Sequence, residues 1–157
     1  MKAQELAAIL REEHNRPYGD FFYGIDLETY AVKLMRKAEL LVHYRESEVL
    51  GIAAFYCNDL ETLCGFLSLM WVSPEARGSG IAGELLDLII STSEVRRFRC
   101  LKLEVLIDNH RAINFYRRHG FEVIDTKNEA LIMGLELPRR QMDETSSPPR
   151  STLAVGK

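Results

Sequence analysis

The chain has 157 residues, 46% apolar and 27% charged side chains and a net charge of −3. That is the profile of one globular domain, long enough to bury a core without disulfides and with no basic field for nucleic acid. No apolar run approaches the ~20 residues of a membrane span, and the opening MKAQELAAILREEH lacks a secretory apolar segment, so a cytoplasmic protein with no nucleic-acid or membrane partner is expected.

Ala3 to Glu13 reads as a helix, because Leu6, Ile9, Leu10 and Glu13 recur at helical spacing. The stretch RPYGDFFYGID follows as a loop rich in aromatic residues. Leu27 to Ala38 is a second helix, with Leu27, Tyr30, Ala31, Leu34 and Met35 on one face and Asp26 as its cap. The period then shortens. Glu39 to Tyr44 and Val49 to Cys57 form a hairpin, and Leu63 to Val72 is a third strand. Gly80 to Ser91 is a helix with Ile81, Leu85, Leu88 and Ile89 on its apolar side. Cys100 to Ile107 is a strand and Asn109 to His119 a helix, stopped by Gly120 in the left-handed position. Phe121 to Asp125 and Ala130 to Leu137 are the last strands. The order α, α, β, β, β, α, β, α, β, β is that of a mixed α/β domain over residues 1–137.

Residues 138–157 differ in composition, with paired prolines, many Ser and Thr, and four basic against two acidic side chains. They read as a disordered C-terminal tail, which leaves −5 on the body. The cysteines Cys57, Cys64 and Cys100 are odd in number, widely spaced and without a C-x-x-C pair. That spacing argues against a disulfide framework or a zinc site and for small core residues in a reducing compartment. His14, His43, His110 and His119 show no ligand spacing and read as surface or cap residues.

The stretch PEARGSGIAGELL raises the functional question, since Gly78, Gly80 and Gly83 spell G-x-G-x-x-G. Glycines admit an anion close to the backbone, and a helix starting there offers free N–H groups and the positive end of its dipole. A nucleoside-triphosphate loop would need a G-K-[ST] triplet, but Ile81 and Ala82 stand at the lysine and hydroxyl positions. A dinucleotide turn would find its ribose acid in Glu104, about 20 residues on. Against that reading, SPEAR separates the strand from the first glycine, Glu104 is mid-strand, and too few βα units follow. A plain left-handed turn without ligand is the third possibility.

The stretch VSPEARGSGIAGELL resembles the acetyl-CoA loop of the GNAT superfamily of N-acyltransferases, whose core is R/Q-x-x-G-x-G/A. Arg77, Gly80 and Ala82 fit that core. LEVLIDNHRAINFYRRHGFEV is similar to the family's second signature, matching at Asn109, Ala112, Phe115, Tyr116, Gly120 and Phe121. The two motifs cover about fifty residues in the family's order, and the flanking elements extend the likeness over roughly residues 5 to 137. The chain departs from many members in opening on a helix rather than a strand, so its sheet is expected to lack one edge strand.

The resemblance implies a mixed, mostly antiparallel sheet with two splayed central strands and helices on both faces. It implies an N-acetyltransferase that moves acetyl from acetyl-CoA to a primary amine by direct transfer in a ternary complex, without a metal. The backbone amides of Arg77, Gly78, Ser79, Gly80, Ile81, Ala82 and Gly83 would hold the pyrophosphate. Main-chain groups of Met70 and Val72 would pair with the pantetheine arm, and an N–H near Val72 would polarise the thioester carbonyl. Tyr116 would be the acid for the leaving thiolate, against the bland reading of a helix tyrosine packed on the sheet. Glu104 would be the base, against that of a solvated Glu alternating with Lys102. Asn109 can cap its helix, touch CoA, or both. Pro17, Tyr18, Phe21, Phe22 and Tyr23 either shape the acceptor slot or form a small core under their loop. The partner is then a small-molecule or peptide amine, and the protein a monomer or homodimer. The competing readings are a non-catalytic acyl-CoA-binding module and a dinucleotide-binding oxidoreductase.

Overall fold

The computed structural model describes residues 1–16 and 25–138. All of the expected tail 138–157 except Pro138, and the candidate acceptor-slot residues Pro17, Tyr18, Phe21, Phe22 and Tyr23, lie outside the described residues. Two helices lead, α1 (Ala3–His14) and α2 (Leu27–Lys37). Three strands follow, β1 (Glu39–Arg45), β2 (Glu48–Tyr56) and β3 (Cys64–Val72). A short 3-10 turn (Pro74–Ala76) opens onto α3 (Ile81–Val95). The chain ends on β4 (Cys100–Leu106), α4 (His110–Arg118), β5 (Glu122–Lys127) and β6 (Ala130–Glu136).

The sheet has six strands in the order β1-β2-β3-β4-β6-β5, and among the described residues no strand precedes α1. Every pairing is antiparallel except β3 with β4, which α3 joins as a crossover. That one parallel ladder is short. It runs from Cys64 opposite Cys100 to Leu67 opposite Leu103, and then stops although both strands continue. The cause is visible at Ser68. The β2–β3 register slips between Ala54 and Phe55, leaving Ser68 as an extra residue on β3, a bulge that bends the strand away from β4. Tyr30 of α2 holds the bulge: its hydroxyl donates to the Ser68 carbonyl at 3.1 Å and lies 2.8 Å from the Ser68 hydroxyl. Burial pushes the Tyr30 phenol above its ordinary pKa, so this donor keeps its proton.

The bulge also sorts β3 between two cores. Leu67 packs with α3, β4 and α4, and Leu69 packs with α1 and α2. One core gathers Leu6, Leu10, Ala31 and Leu34 against Ile52, Ala54 and Leu69. The other gathers Leu85, Leu86 and Ile89 of α3 against Phe55, Leu101, Leu103 and Met133. Helices therefore cover both faces. Asp26 caps α2 by accepting from Glu28 and Thr29 N–H, and Gly120 ends α4 at φ +93°.

Two expectations need correction. Leu88 is 54% exposed, and Leu86 takes the inward place, because the buried stripe of α3 runs Ile81, Leu85, Leu86, Ile89. Cys57 is the buried core thiol that was expected, but Cys64 and Cys100 are half-buried and joined in a disulfide. Their separation of 36 residues looks wide only along the chain. The α3 crossover returns β4 in register with β3, bringing the two Cα atoms to 4.7 Å.

Candidate active site

The parting of β3 and β4 opens a gap whose β3 wall is set by hydrogen-bond phase. Ser73 N–H donates to the Leu50 carbonyl at 2.8 Å, so Leu69, Trp71 and Ser73 turn their main-chain groups to β2. Met70 and Val72 turn theirs into the gap. The Val72 carbonyl there already accepts from Arg77 Nε at 3.1 Å, while the Val72 N–H stays open to a ligand.

The glycine turn follows at the mouth of the gap. Gly78 and Gly80 adopt φ +85° and +91°, a region that costs other residues about 1–2 kcal/mol. A Cβ added at either glycine would meet nothing within 4 Å, so the loop presents bare backbone to open space. Of the seven candidate amides, two are used inside the turn. Arg77 N–H donates to Pro74 O at 3.4 Å and Ser79 N–H to Ala76 O at 3.2 Å, where the Ser79 hydroxyl also donates. Gly78, Gly80, Ile81, Ala82 and Gly83 have no backbone acceptor for their N–H among the described residues. Gly80 stands at the cap position of α3 and makes no side-chain cap. These unpaired donors at the positive end of a helix of 15 residues suit a pyrophosphate.

Asn109, Ala112, Tyr116 and His119 lie along one stripe of α4 at helical spacing, and at its end His119 comes close to Gly83. Asn109 caps the helix by accepting from Ala112 N–H at 3.2 Å, and its amide N–H groups remain for other partners. Tyr116 is buried, with its ring edge-on to Phe115 at 5.2 Å and Phe121 at 5.6 Å. It belongs to the same core as Met70 and Val72. Burial raises its phenol far above 10.0, and its hydroxyl has no hydrogen-bond partner among the described residues. The phenol therefore stays protonated at neutral pH.

His119, expected to be an ordinary surface or cap residue, sits beside the glycine turn. Its Nδ1 lies 2.9 Å from the Phe115 carbonyl, so Nδ1 carries the hydrogen. Nε2 lies 3.6 Å from where a Cβ on Gly83 would stand, directly beside the cradle. Helical spacing from Tyr116 was the available signal.

Glu104 takes the other side. Leu101, Leu103 and Val105 of β4 are buried against α3 and α4, so Lys102, Glu104 and Leu106 point to the opposite face, where all three are exposed. Its strand neighbour is Ile132 of β6. Glu104 and Tyr116 thus flank the sheet from opposite faces. A residue not assigned from sequence, Glu13 on the last turn of α1, is only 7% exposed and accepts from Trp71 and Arg77. No cluster of metal-ligating side chains occurs among the described residues, and none of their helices is long and apolar enough to cross a membrane.

A sheet split between β3 and β4, with a bare glycine turn at the mouth of the split, is the feature that sets this fold apart. The chain matches the acetyltransferase (GNAT) family over residues 3–121, and it belongs to that family. It is 32% identical over 123 residues to the IAA acetyltransferase of Azospirillum brasilense, a match covering 75% of this chain and 78% of that protein. Among solved structures it is similar to the ribosomal-protein-S18-alanine N-acetyltransferase of Escherichia coli. There the TM-score is 0.70 at 20% identity, covering 91% of this chain and 94% of that one. It also resembles the PaiA N-acetyltransferase of Thermoplasma acidophilum in complex with coenzyme A. That match has a TM-score of 0.69 at 18% identity, covering 87% and 95% of the two chains. The protein is an acetyltransferase, and the dinucleotide reading of the glycines falls with its mostly antiparallel sheet.

Proposed function

We propose that this acetyltransferase moves acetyl from acetyl-CoA to a primary amine of a small molecule or peptide, by direct transfer within a ternary complex. The observation that carries the reading is the gap itself: β3 and β4 part, five amides stand unpaired at its mouth, and Tyr116 stands in the core beside it.

Gly78, Gly80, Ile81, Ala82 and Gly83 would hold the pyrophosphate through their N–H groups, with the Arg77 and Ser79 residues shaping the turn. Met70 would pair with the pantetheine amides as an added strand does. Acetyl-CoA, when bound, supplies an acyl group activated as a thioester. The Val72 N–H is free to polarise the thioester carbonyl, an oxyanion-type role. Tyr116 would give its proton to the departing thiolate. Glu104, on the opposite face, would take the proton from the attacking amine, which must be neutral to react and has an ordinary pKa of about 10.4 if it is a lysine. The body's negative charge mildly favours a cationic acceptor.

Calorimetry with acetyl-CoA and with NAD tests the cradle. Acetyl-CoA binding without NAD binding supports it and leads to an amine screen by thiol release; the reverse pattern refutes it. Glu104→Gln should lower turnover at saturating substrates by about 10² or more. An unchanged rate would return Glu104 to the solvated surface.

A further inference from the structure

We infer that Glu13 is a positioning residue for the acyl-CoA cradle, acting through Arg77 on the Val72 carbonyl where β3 meets the glycine turn. The inference rests on the reading of that turn as the acetyl-CoA site.

Glu13 occupies an inner position of α1, in line with Leu6 and Leu10, and is buried with them. A carboxylate in such a place loses its hydration and needs strong partners. It has them on both oxygens. Oε1 accepts from Arg77 Nη2 at 2.7 Å. Oε2 accepts from the Trp71 indole N–H at 3.2 Å, with Arg16 Nε 3.3 Å away. Charge-assisted bonds of this kind are the strong ones.

Arg77 also works in two directions. Its Nη2 reaches α1, while its Nε donates to the Val72 carbonyl at 3.1 Å. Its own main chain starts the glycine turn. One planar side chain therefore braces the turn against the end of β3, and the brace is anchored only while Glu13 is in place. Without Glu13 the guanidinium keeps a single neutral acceptor. A long side chain with many rotamers does not stay ordered on one such bond. The Val72 carbonyl then regains its lone pairs inside the gap, and the first amides of the turn lose their fixed aim. Trp71, the one tryptophan of the chain, shares the carboxylate and reports on it.

The test uses the full chain as wild type, Glu13→Gln, Arg77→Gln and the double variant. Acetyl-CoA affinity is measured by calorimetry, Trp71 emission by fluorescence, and kcat and KM on an amine found by screening. A glutamine at position 13 keeps the shape but sets an amide N–H against one of the two donors. Each single variant should weaken acetyl-CoA binding roughly tenfold, the loss of a charge-assisted bond. The loss should appear in KM for acetyl-CoA, with kcat at saturation changed by less than about threefold. The double variant should bind no worse than the weaker single, because both act through one contact. Trp71 emission should shift in Glu13→Gln before any ligand is added.

Wild-type affinity in Glu13→Gln, with or without a lower melting temperature, overturns the inference and leaves the cradle intact. Losses that multiply in the double variant overturn it too, since Arg77 and Glu13 would then act separately. Absence of acetyl-CoA binding in the wild type overturns the cradle and the inference together. If Glu13→Gln does not fold, Arg77→Gln decides alone, its side chain being one-third exposed. Weakened binding with a shifted Trp71 emission supports the brace, and unchanged binding refutes it.

Discussion

Replacing Tyr116 by phenylalanine separates chemistry from packing more cleanly than any other change. The ring is 8% exposed and held edge-on by Phe115 and Phe121, contacts that phenylalanine keeps. The hydroxyl makes no hydrogen bond among the described residues, so its removal orphans no donor or acceptor there, and the folding free energy should move by less than about 1 kcal/mol. Acetyl-CoA affinity should stay within about threefold, since the cradle amides are untouched. Turnover should fall by about 10²–10⁴, the range for a positioned general acid, which is about 2.7–5.4 kcal/mol on the barrier. The assay is steady-state thiol release with a screened amine, beside calorimetry and thermal melting of the same preparations. Turnover within threefold of wild type would refute the acid assignment and return Tyr116 to a packing role. Measurable acetyl-CoA binding with no turnover on any amine, in the wild type itself, would favour the non-catalytic module.

Gly80→Ala should cost about 1–2 kcal/mol of stability, because φ +91° is strained for alanine although its Cβ meets nothing, and should weaken acetyl-CoA by tilting the amide row. Gly83→Ala should instead keep or gain up to about 1 kcal/mol from helix propensity yet still weaken acetyl-CoA, its Cβ standing 3.6 Å from His119 Nε2 on the phosphate side. Matching urea midpoints and calorimetry for both variants check the pair, and equal effects would contradict the geometry. Reduction of Cys64–Cys100 should add two hydrogens to the intact mass and lower stability by about 4 kcal/mol, the chain-entropy value for a loop of that span. Intact-mass spectra and melts with and without reductant check it, and an unchanged melt would show the bond adds nothing. Stability should also fall above pH 10. Tyr116 keeps its proton in the fold while the unfolded phenol ionises near 10.0, so the contribution is complete below pH 10 and lost as pH climbs above it, at up to about 1.4 kcal/mol per pH unit. Urea midpoints from pH 8 to 11.5 should show a shallower decline in Tyr116→Phe; an identical slope would refute the assignment.

Residues whose role is local were legible from the chain. Asp26 announces α2, Gly120 ends α4, and the period change near Glu39 marks the sheet, since caps, left-handed turns and strand alternation are written within a few neighbours. The glycine turn was legible for the same reason. What it does with each amide was not, because Arg77 and Ser79 close on carbonyls three residues back and only coordinates distinguish a used N–H from an open one. Relations that cross the fold were hidden. Cys64 and Cys100 look unpaired until the crossover is drawn. The Ser68 bulge depends on Tyr30, 38 residues away. Glu13 carried a faint signal, a carboxylate in line with buried leucines, but nothing along the chain points from it to Arg77.

The opposed placement of Tyr116 and Glu104 supports direct transfer over a route through an acyl-cysteine. An acyl-enzyme needs a thiolate in the gap. Cys57 is buried, held near Ser93 and raised in pKa by that burial, on the strand side away from β4. Cys64 and Cys100 close on each other at the joined end of β3 and β4, the end opposite the turn. In a gap walled by Met70 and Val72, the proposed acid on one face and a carboxylate on the other suit a thioester approached from one side and an amine from the other. Direct transfer, the proposed route, needs both substrates present at once. Initial rates varied in both substrates should therefore give intersecting double-reciprocal lines. Parallel lines would refute direct transfer and send the search for a nucleophile back to the residues around the gap.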